Sequence, residues 1–344
     1  MMDEAQLNAL FKTFNHKHIL VVGDYFLDKY LQLDRTLDEV SLETGLSAHQ
    51  VTGIVHSPGA AGNVAANVRA LGPQVTAISI LGDDGEGYDL RRQLEEREIG
   101  LDGVLTSRER FTPTYTKPMM HEPDSTVHEL ERLDHKNRTP LPAELENALI
   151  AKLTSLVDSA DAIVIADQVQ ERNCGVLSER VRGWLVGRAQ QRRDLLMVVD
   201  SRLRVGEYRY MTLKPNEREL LNAFGEVAED EVSIAQASQL GLQLAARNEA
   251  RVCVTCGSRG MIVCERRRAQ RVPAIKVEGP IDIVGAGDTA LASLACALSA
   301  GLSMTEAAWL ANLAASVTIR QIGTTGVCTP VQLRNALTEA RQGP

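Results

Sequence analysis

Short β-branched apolar runs alternate along this chain with longer stretches whose apolar positions recur every three or four residues. The runs His18–Val22, Val75–Leu81, Ala162–Ala166, Leu195–Val199, Met211–Leu213 and Val252–Thr255 predict strands. Helical spacing covers Asn63–Leu71, Gly87–Glu98, Ala143–Val157, Val176–Arg188, Val232–Ala246, Thr289–Ala300 and Thr305–Arg320. Strands that alternate with helices imply crossover units, hence an α/β fold with a mainly parallel central sheet and helices on both faces. In such a sheet ligands gather beyond the carboxyl ends of the strands.

Leu31–Ser57 and Arg110–Asp134 break the alternation. They hold short strand-like pieces, Gln50–Val55, Thr114–Met119 and Val127–Leu133, with no long helix between neighbours. Both read as insertions that form a small β lid on one domain spanning residues 1–344. The lid's exposed strand edges ask for a cover.

Composition narrows the partners. With 44% apolar residues and a net charge of −8 the chain is an ordinary globular one, lacking the basic stripes and aromatic platforms that nucleic acid or an anionic membrane requires. Residues 1–15 carry no signal pattern, and no apolar run reaches the roughly 18 residues of a membrane helix, so a cytoplasmic protein is expected. Six cysteines in 344 residues do not make a disulfide framework. Cys253-Val-Thr-Cys256 has redox or zinc spacing, but on a strand residues three apart point to opposite faces, against that reading.

Asp282-Ile-Val-Gly285-Ala286-Gly287-Asp288-Thr289 is the most informative segment. It precedes the apolar helix Ala290–Ala300, with Gly301 as its C-terminal stop. Glycines that open a buried helix offer backbone N–H groups and the positive dipole end to an anion, which suits a transferring phosphoryl group. Asp288 at that helix start is placed to accept a proton from a hydroxyl nucleophile. Two other readings stand beside this one: Asp288 as a plain helix cap, and Gly285-x-Gly287-x-x-Ala290 as a dinucleotide fingerprint. The fingerprint wants a strand with an acidic end about 20 residues on, where Ser303–Arg320 reads as helix.

These residues resemble the late signature of the ribokinase-like (PfkB) carbohydrate kinases, Asp-Thr-x-Gly-Ala-Gly-Asp. Val21-Val22-Gly23-Asp24, Gly59-Ala-Ala-Gly62-Asn63-Val-Ala-Ala-Asn67, Gly82-Asp-Asp84-Gly-Glu-Gly87, Lys214-Pro-Asn216-Glu-Arg-Glu219 and Thr255-Cys-Gly257-Ser-Arg-Gly260 follow in that family's order, so the resemblance runs from about His18 to Pro330. It implies a ribokinase-like fold and an ATP- and magnesium-dependent kinase of a sugar or sugar phosphate. Asp288 would be the base and Gly285, Ala286 and Gly287 the anion-binding turn. Asp24, Gly59 and Asn63 would meet the sugar. Asn216, Glu219, Thr255, Gly257, Gly260 and Asn312 would surround ATP, with Glu219 reaching magnesium through water and Asp282 holding a monovalent cation such as potassium. Asn216-x-x-Glu219 is also a complete capping box in its own right.

Within the family the chain is most similar to the bacterial heptose 7-phosphate kinases. Gly23-Asp24-x-x-Leu27-Asp28-Lys29-Tyr30, Thr114-x-Thr116-Lys117, Leu130-Glu-Arg132-Leu133-Asp134 and Gly323-Thr324 carry that likeness. It implies a phosphate-bearing acceptor met by Asp28, Lys29, Lys117, Arg132 and Asp167, and a homodimer paired through the lids. The departures lie on the substrate side. Leu37-Asp-Glu-Val-Ser-Leu-Glu43-Thr-Gly-Leu46 replaces an arginine- and proline-bearing stretch, Met119 stands for an arginine, Asp167-Gln-Val-Gln-Glu171 replaces Asp-Tyr-x-Lys-Gly, and Ala60 replaces a glycine.

Overall fold

The computed structural model describes residues 2–342 apart from 228–230, 266 and 324, so Thr324 of the Gly323-Thr324 pair lies outside the described residues. The first half of the chain runs α1 (Glu4–Phe14), β1 (His18–Gly23), β2 (Tyr25–Asp34), β3 (Glu39–Val40), β4 (Ser47–Ala48), β5 (Val51–Ala60), α2 (Ala61–Leu71), β6 (Gln74–Gly82), α3 (Gly85–Glu95), β7 (Gly100–Ser107), β8 (Thr114–His121), β9 (Val127–Glu129), β10 (Leu133–His135) and α4 (Ala143–Leu156). It continues as β11 (Ala162–Asp167), α5 (Glu179–Gln191), β12 (Leu196–Ser201), β13 (Thr212–Leu213), α6 (Glu217–Asn222), α7 (Ile234–Asn248), β14 (Arg251–Thr255), β15 (Met261–Glu265), β16 (Arg268–Val272), α8 (Ala286–Ser299), α9 (Met304–Thr318) and α10 (Pro330–Gln342).

The central sheet has nine strands in the order β16-β15-β14-β13-β12-β11-β1-β6-β7. It is parallel from β7 to β14, and β15 and β16 add antiparallel to one edge. Strand alternation sorts the core into two layers. Ile19 and Val21 of β1 enter one layer with apolar residues of α1, α2, α8, α9 and α10, while Leu20 and Val22 enter the other with those of α4, α5, α6 and α7. At about 25 cal/mol per Å² of apolar surface removed from water, these layers supply the main stabilisation of the fold. The same alternation separates Cys253 from Cys256: the first packs in the α8 layer, its sulfur 3.7 Å from Met261 Sδ, and the second lies in the α7 layer.

A second sheet, in the order β10-β8-β2-β5 with β9 on β8, forms the lid. Its first segment begins at Tyr25 and ends at Ala60, wider than 31–57, because β2 leaves β1 after the single residue Asp24 and β5 runs straight into α2. Val127–Leu133, expected as one strand, is two short ones, each antiparallel to β8. Helix α5 starts at Glu179, later than Val176, because the Ser178 hydroxyl caps it by accepting the Val181 N–H at 3.3 Å. Gly301 ends α8 as expected: at φ +89° its N–H reaches Leu298 O, and Leu302 N–H reaches Ala297 O.

Candidate active site

The cleft lies beyond the carboxyl ends of β12, β13 and β14, between the first turn of α8 and the inner face of the lid. Gly285 turns the chain at φ +80°, where a side chain is strained, and an added Cβ would lie 2.9 Å from Thr325 Cγ2 and 3.0 Å from Asn63 Nδ2. The Ala286 N–H is taken by Ile283 O and that of Thr289 by Gly285 O. Among the described residues the N–H groups of Gly287 and Asp288 meet no carbonyl, and both residues line the cleft. Orphan amides at the positive end of a helix form an anion site.

Asp288 sits among them, half-buried, and its Oδ2 accepts 2.7 Å from the Asn63 Nδ2. Asn63 is held in turn by Asn67, whose Nδ2 donates to the Asn63 carbonyl at 3.0 Å, and Thr289 Oγ1 donates to Asn67 Oδ1 at 3.0 Å. The pairing of α2 with α8 is thus what orients the carboxylate. Burial pushes the Asp288 carboxyl up to about 6, opposed by the Asn63 hydrogen bond; Asp200 adds to the rise, and Lys214 and Arg202 oppose it. A carboxylate tuned toward neutrality beside an anion-binding turn fits a general base for a hydroxyl.

The facing wall is the lid. Phe26 and Asp28, on one side of β2, line the cleft with Lys117 of β8. Lys117 Nζ lies 3.0 Å from Asp28 Oδ1 and donates to Tyr30 OH at 3.2 Å. Gly59 is a glycine for close approach, since a Cβ there would lie 2.9 Å from Asp28 Oδ2. Arg132 reaches the cleft across the Tyr115 ring, 4.4 Å from its centroid, held by Asp134 at 2.7 and 3.0 Å.

Besides Asn63, three expected substrate residues are placed elsewhere. Lys29 neighbours Asp28 on the strand, so it points to the other face, where it pairs with Glu86 of α3 at 3.2 Å. Asp24 does not line the cleft: Oδ2 accepts the Gln168 and Val169 N–H groups at 3.1 and 3.2 Å, and Oδ1 accepts that of Val176 at 2.6 Å. It fastens the 168–176 loop to the end of β1, and burial, with Asp167 nearby, pushes its carboxyl up to about 6 against those three amides. Asp167 is buried beneath, accepting from Ser201 Oγ at 2.7 Å and Tyr208 OH at 3.1 Å, with Arg204 at 3.5 Å. Asp28, within β2, is therefore the carboxylate of this segment that meets the cleft. The period of two along β2 is the signal that separates it from Lys29.

On the opposite side Asn216 and Glu219 complete their capping box, Asn216 N–H donating to Glu219 Oε2 at 2.7 Å and Glu219 N–H to Asn216 Oδ1 at 2.9 Å, and both line the cleft. Thr255, Gly257 and Gly260 follow β14 in the same wall; Gly260 holds φ +90°, and an added Cβ would strike Val272 O at 2.2 Å. Asn312 is buried, not surface-exposed, and its amide donates to Val272 O and Pro273 O at 3.1 and 3.0 Å while its edge lines the cleft. Asp282 lies outside the cleft lining and clamps the turn, Oδ1 accepting from Val284 N–H and Oδ2 from Gly323 N–H.

Asp200 and Arg202 carry no mark in the sequence, and Lys214 stands there only as the first residue of the Lys214-Pro-Asn216-Glu-Arg-Glu219 motif, without a role. Lys214 and Asp200 form a buried pair at 3.0 Å. Burial alone would lower the Lys214 ammonium, yet Asp200, Glu219 and Asp288 hold it above its usual value. Burial and Asp200 together push Glu219 up to about 8, against Lys214 and the Asn216 amide. Asp200 Oδ1 is buried with no hydrogen-bond partner among the described residues. Two clustered carboxylates served by one ammonium, with one oxygen unsatisfied, fit a hydrated divalent cation.

A pfkB family carbohydrate kinase model matches residues 19–332. The bifunctional protein HldE of Trichlorobacter lovleyi is 31% identical over 334 residues, covering 96% of this chain and 65% of that protein. HldE of Caulobacter vibrioides is 31% identical over 345 residues, 100% of this chain and 68% of its own. The chain thus spans about two thirds of the length of these relatives. Arabidopsis thaliana ribokinase complexed with ribose and ATP superposes with a TM-score of 0.66 at 18% identity, over 93% of this chain and 98% of that one. Escherichia coli phosphofructokinase-2 in complex with potassium does so with 0.71 at 19%, over 94% and 99%. The fold is ribokinase-like, and the chain belongs to the pfkB family of carbohydrate kinases, as a phosphotransferase acting on a sugar or sugar phosphate.

Proposed function

We propose that this chain, as one kinase domain with its lid, transfers the γ-phosphoryl group of ATP to a hydroxyl of a sugar phosphate resembling heptose 7-phosphate. The observation that carries the reading is the Asn63–Asp288 contact at the anion-binding start of α8, facing the Asp28–Lys117 pair of the lid. Asp28 positions the acceptor; Asn63, expected at the sugar, is buried outside the cleft lining and instead holds Asp288, which takes the proton of the attacking hydroxyl. The new bond forms between that oxygen and the γ-phosphorus, the bond to the β,γ-bridging oxygen breaks, and ADP leaves. The Gly287 and Asp288 amides face the charge that develops on the equatorial oxygens, with Lys214 behind them. Asp200 and Glu219 are the residues that would hold magnesium, Glu219 through water; the metal would neutralise charge on the β- and γ-oxygens.

Asn216, Thr255, Gly257, Gly260 and Asn312 serve the nucleotide in this reading. Asp282 keeps both oxygens on backbone amides, and a potassium ion beside it would stiffen the same turn. A homodimer paired through the lids covers exposed Val51, Ile54 and Val55 of β5. No helix among the described residues is long and apolar enough to cross a membrane, and a kinase drawing on ATP and sugar phosphates belongs in the cytoplasm. The test is ADP release from ATP and magnesium with heptose 7-phosphate, hexose phosphates and their unphosphorylated parents. Acceptor-dependent release, fastest with a phosphate-bearing acceptor, is the expected result; none with any sugar sinks the reading.

A further inference from the structure

Arg202 follows β12 and lines two cavities at once: the main cleft, and a small neighbouring cavity of about 40 Å³ between the lid base and the 168–176 loop. Among the described residues no carboxylate lies within 4.0 Å of its guanidinium, whereas the other lid-side cations of the cleft are committed, Lys117 to Asp28 and Arg132 to Asp134. Lys136, which lines the small cavity, is likewise without a carboxylate partner among the described residues. Its ammonium lies 5.8 Å from the centroid of the Tyr115 ring, which Arg132 covers at 4.4 Å. Tyr115 itself borders both cavities, so it marks their junction.

Two carboxylates also line the small cavity, but Asp24 is taken up by the Gln168, Val169 and Val176 amides and Glu171 lies 3.8 Å from Arg138, which leaves Arg202 and Lys136 without a carboxylate partner there among the described residues. Lys136 is half-buried without a carboxylate partner, so it loses solvation without gaining a counter-charge, and the exposed Arg202 beside the same aromatic wall adds a second charge that an anion can meet. The 40 Å³ cavity has space for a few water molecules and not for a sugar ring, so the ring stays in the main cleft and only an acidic substituent reaches the junction.

We infer that Arg202 and Lys136 bind the acidic group of the acceptor, a phosphate monoester, at the junction beside Tyr115, and so set the preference for phosphorylated over neutral sugars. This rests on the sugar phosphate reading above. Arg202 then spans the two ends of the substrate, since its charge also bears on Asp288. Lys29 has no part in it.

The test compares fructose 6-phosphate with fructose, and heptose 7-phosphate with its unphosphorylated heptose, as acceptors for wild type, Arg202→Ala, Arg202→Lys and Lys136→Ala. The readout is the ratio of kcat/KM for each phosphorylated sugar to that for its parent. In Arg202→Ala and Lys136→Ala the ratio should fall at least tenfold, chiefly through KM of the phosphorylated acceptor, and Arg202→Lys should recover part of it. Two results would overturn the inference while leaving the sugar phosphate reading intact: a ratio unchanged in both alanine variants, or kcat falling equally for phosphorylated and neutral sugars, which would put Arg202 on the transferred group. A wild type that shows no preference for phosphorylated acceptors overturns both. Folding of each variant is checked by its melting curve.

Discussion

Asn63 and Asp288, 225 residues apart in the sequence, meet through a 2.7 Å hydrogen bond that joins the first turns of α2 and α8. It is the contact that fixes the proposed base, and it opposes the burial that raises that carboxyl. Asp288→Asn should therefore lower kcat by roughly 10²–10⁴ while ATP binding persists, measured by turnover and by nucleotide titration.

The same variant should be more stable. A carboxyl raised from 3.8 to about 6 in the folded state binds its proton more tightly there than when unfolded, so ionising it costs stability. That cost is absent below the unfolded value, grows as pH rises from about 4 to 6, and is complete above it. The melting temperature of Asp288→Asn should exceed that of wild type at pH 7.5, and the gap should close toward pH 4. A lower melting temperature at pH 7.5 would contradict the burial argument.

Asn63 controls the titration as well. In the free enzyme kcat/KM should fall on the acid side with an inflection near 6, because only the ionised Asp288 accepts a proton. Removing the donor in Asn63→Ala should move that inflection upward, beyond any change in kcat. A pH profile unmoved by the substitution would show that another group governs the limb.

The elements that position these residues were legible wherever packing writes a period into the chain. The parallel strands and buried helices have such a period, and so has the glycine turn before α8. The edge strand β16 has none: Arg268–Val272 buries only its last residue, so no apolar alternation marks it. Asp24 and Asp28 look alike as carboxylates near a strand end, and only the turn into β2 decides that one fastens a loop while the other meets the cleft. Asp200 and Lys214 stand on neighbouring strand ends with 13 residues between them, and no local spacing announces their pairing.

That buried pair carries its own prediction. Lys214→Met leaves Asp200 and Glu219 without their common ammonium, and breaking a buried pair from one side costs about 3–5 kcal/mol. Chemical denaturation should show that loss, and Asp200→Asn introduced with it should restore a substantial part. A double variant no more stable than Lys214→Met alone would mean that the cost arises from packing.

Ala60 holds φ +52°, where a glycine is at ease and a side chain is not. It joins β5 to α2 directly behind Gly59. Ala60→Gly should relieve strain of about 1–2 kcal/mol, less the added freedom of the unfolded chain, for a net gain of about 1 kcal/mol in denaturation. No gain, or a loss, would show that the methyl group's contacts outweigh the strain.

Lys29 and Lys117 separate the two faces of the lid by function. Both were expected at the substrate, yet only Lys117 lines the cleft, paired with Asp28, while Lys29 points away to Glu86. Lys117 is held above its usual ammonium range, against its burial, by Asp28 and Tyr30, so it stays charged throughout the working pH range. Lys117→Ala removes the partner of Asp28 and the charge on the acceptor side, and a charged hydrogen bond of about 1.5–3 kcal/mol predicts a rise in acceptor KM of roughly tenfold or more. Lys29→Ala breaks a part-exposed pair worth about 0–1 kcal/mol, so its steady-state constants should stay within about twofold of wild type and its stability should change little. Steady-state kinetics with the best phosphorylated acceptor, run on both variants, check the contrast. A larger KM effect at Lys29 than at Lys117 would reverse the assigned faces of β2.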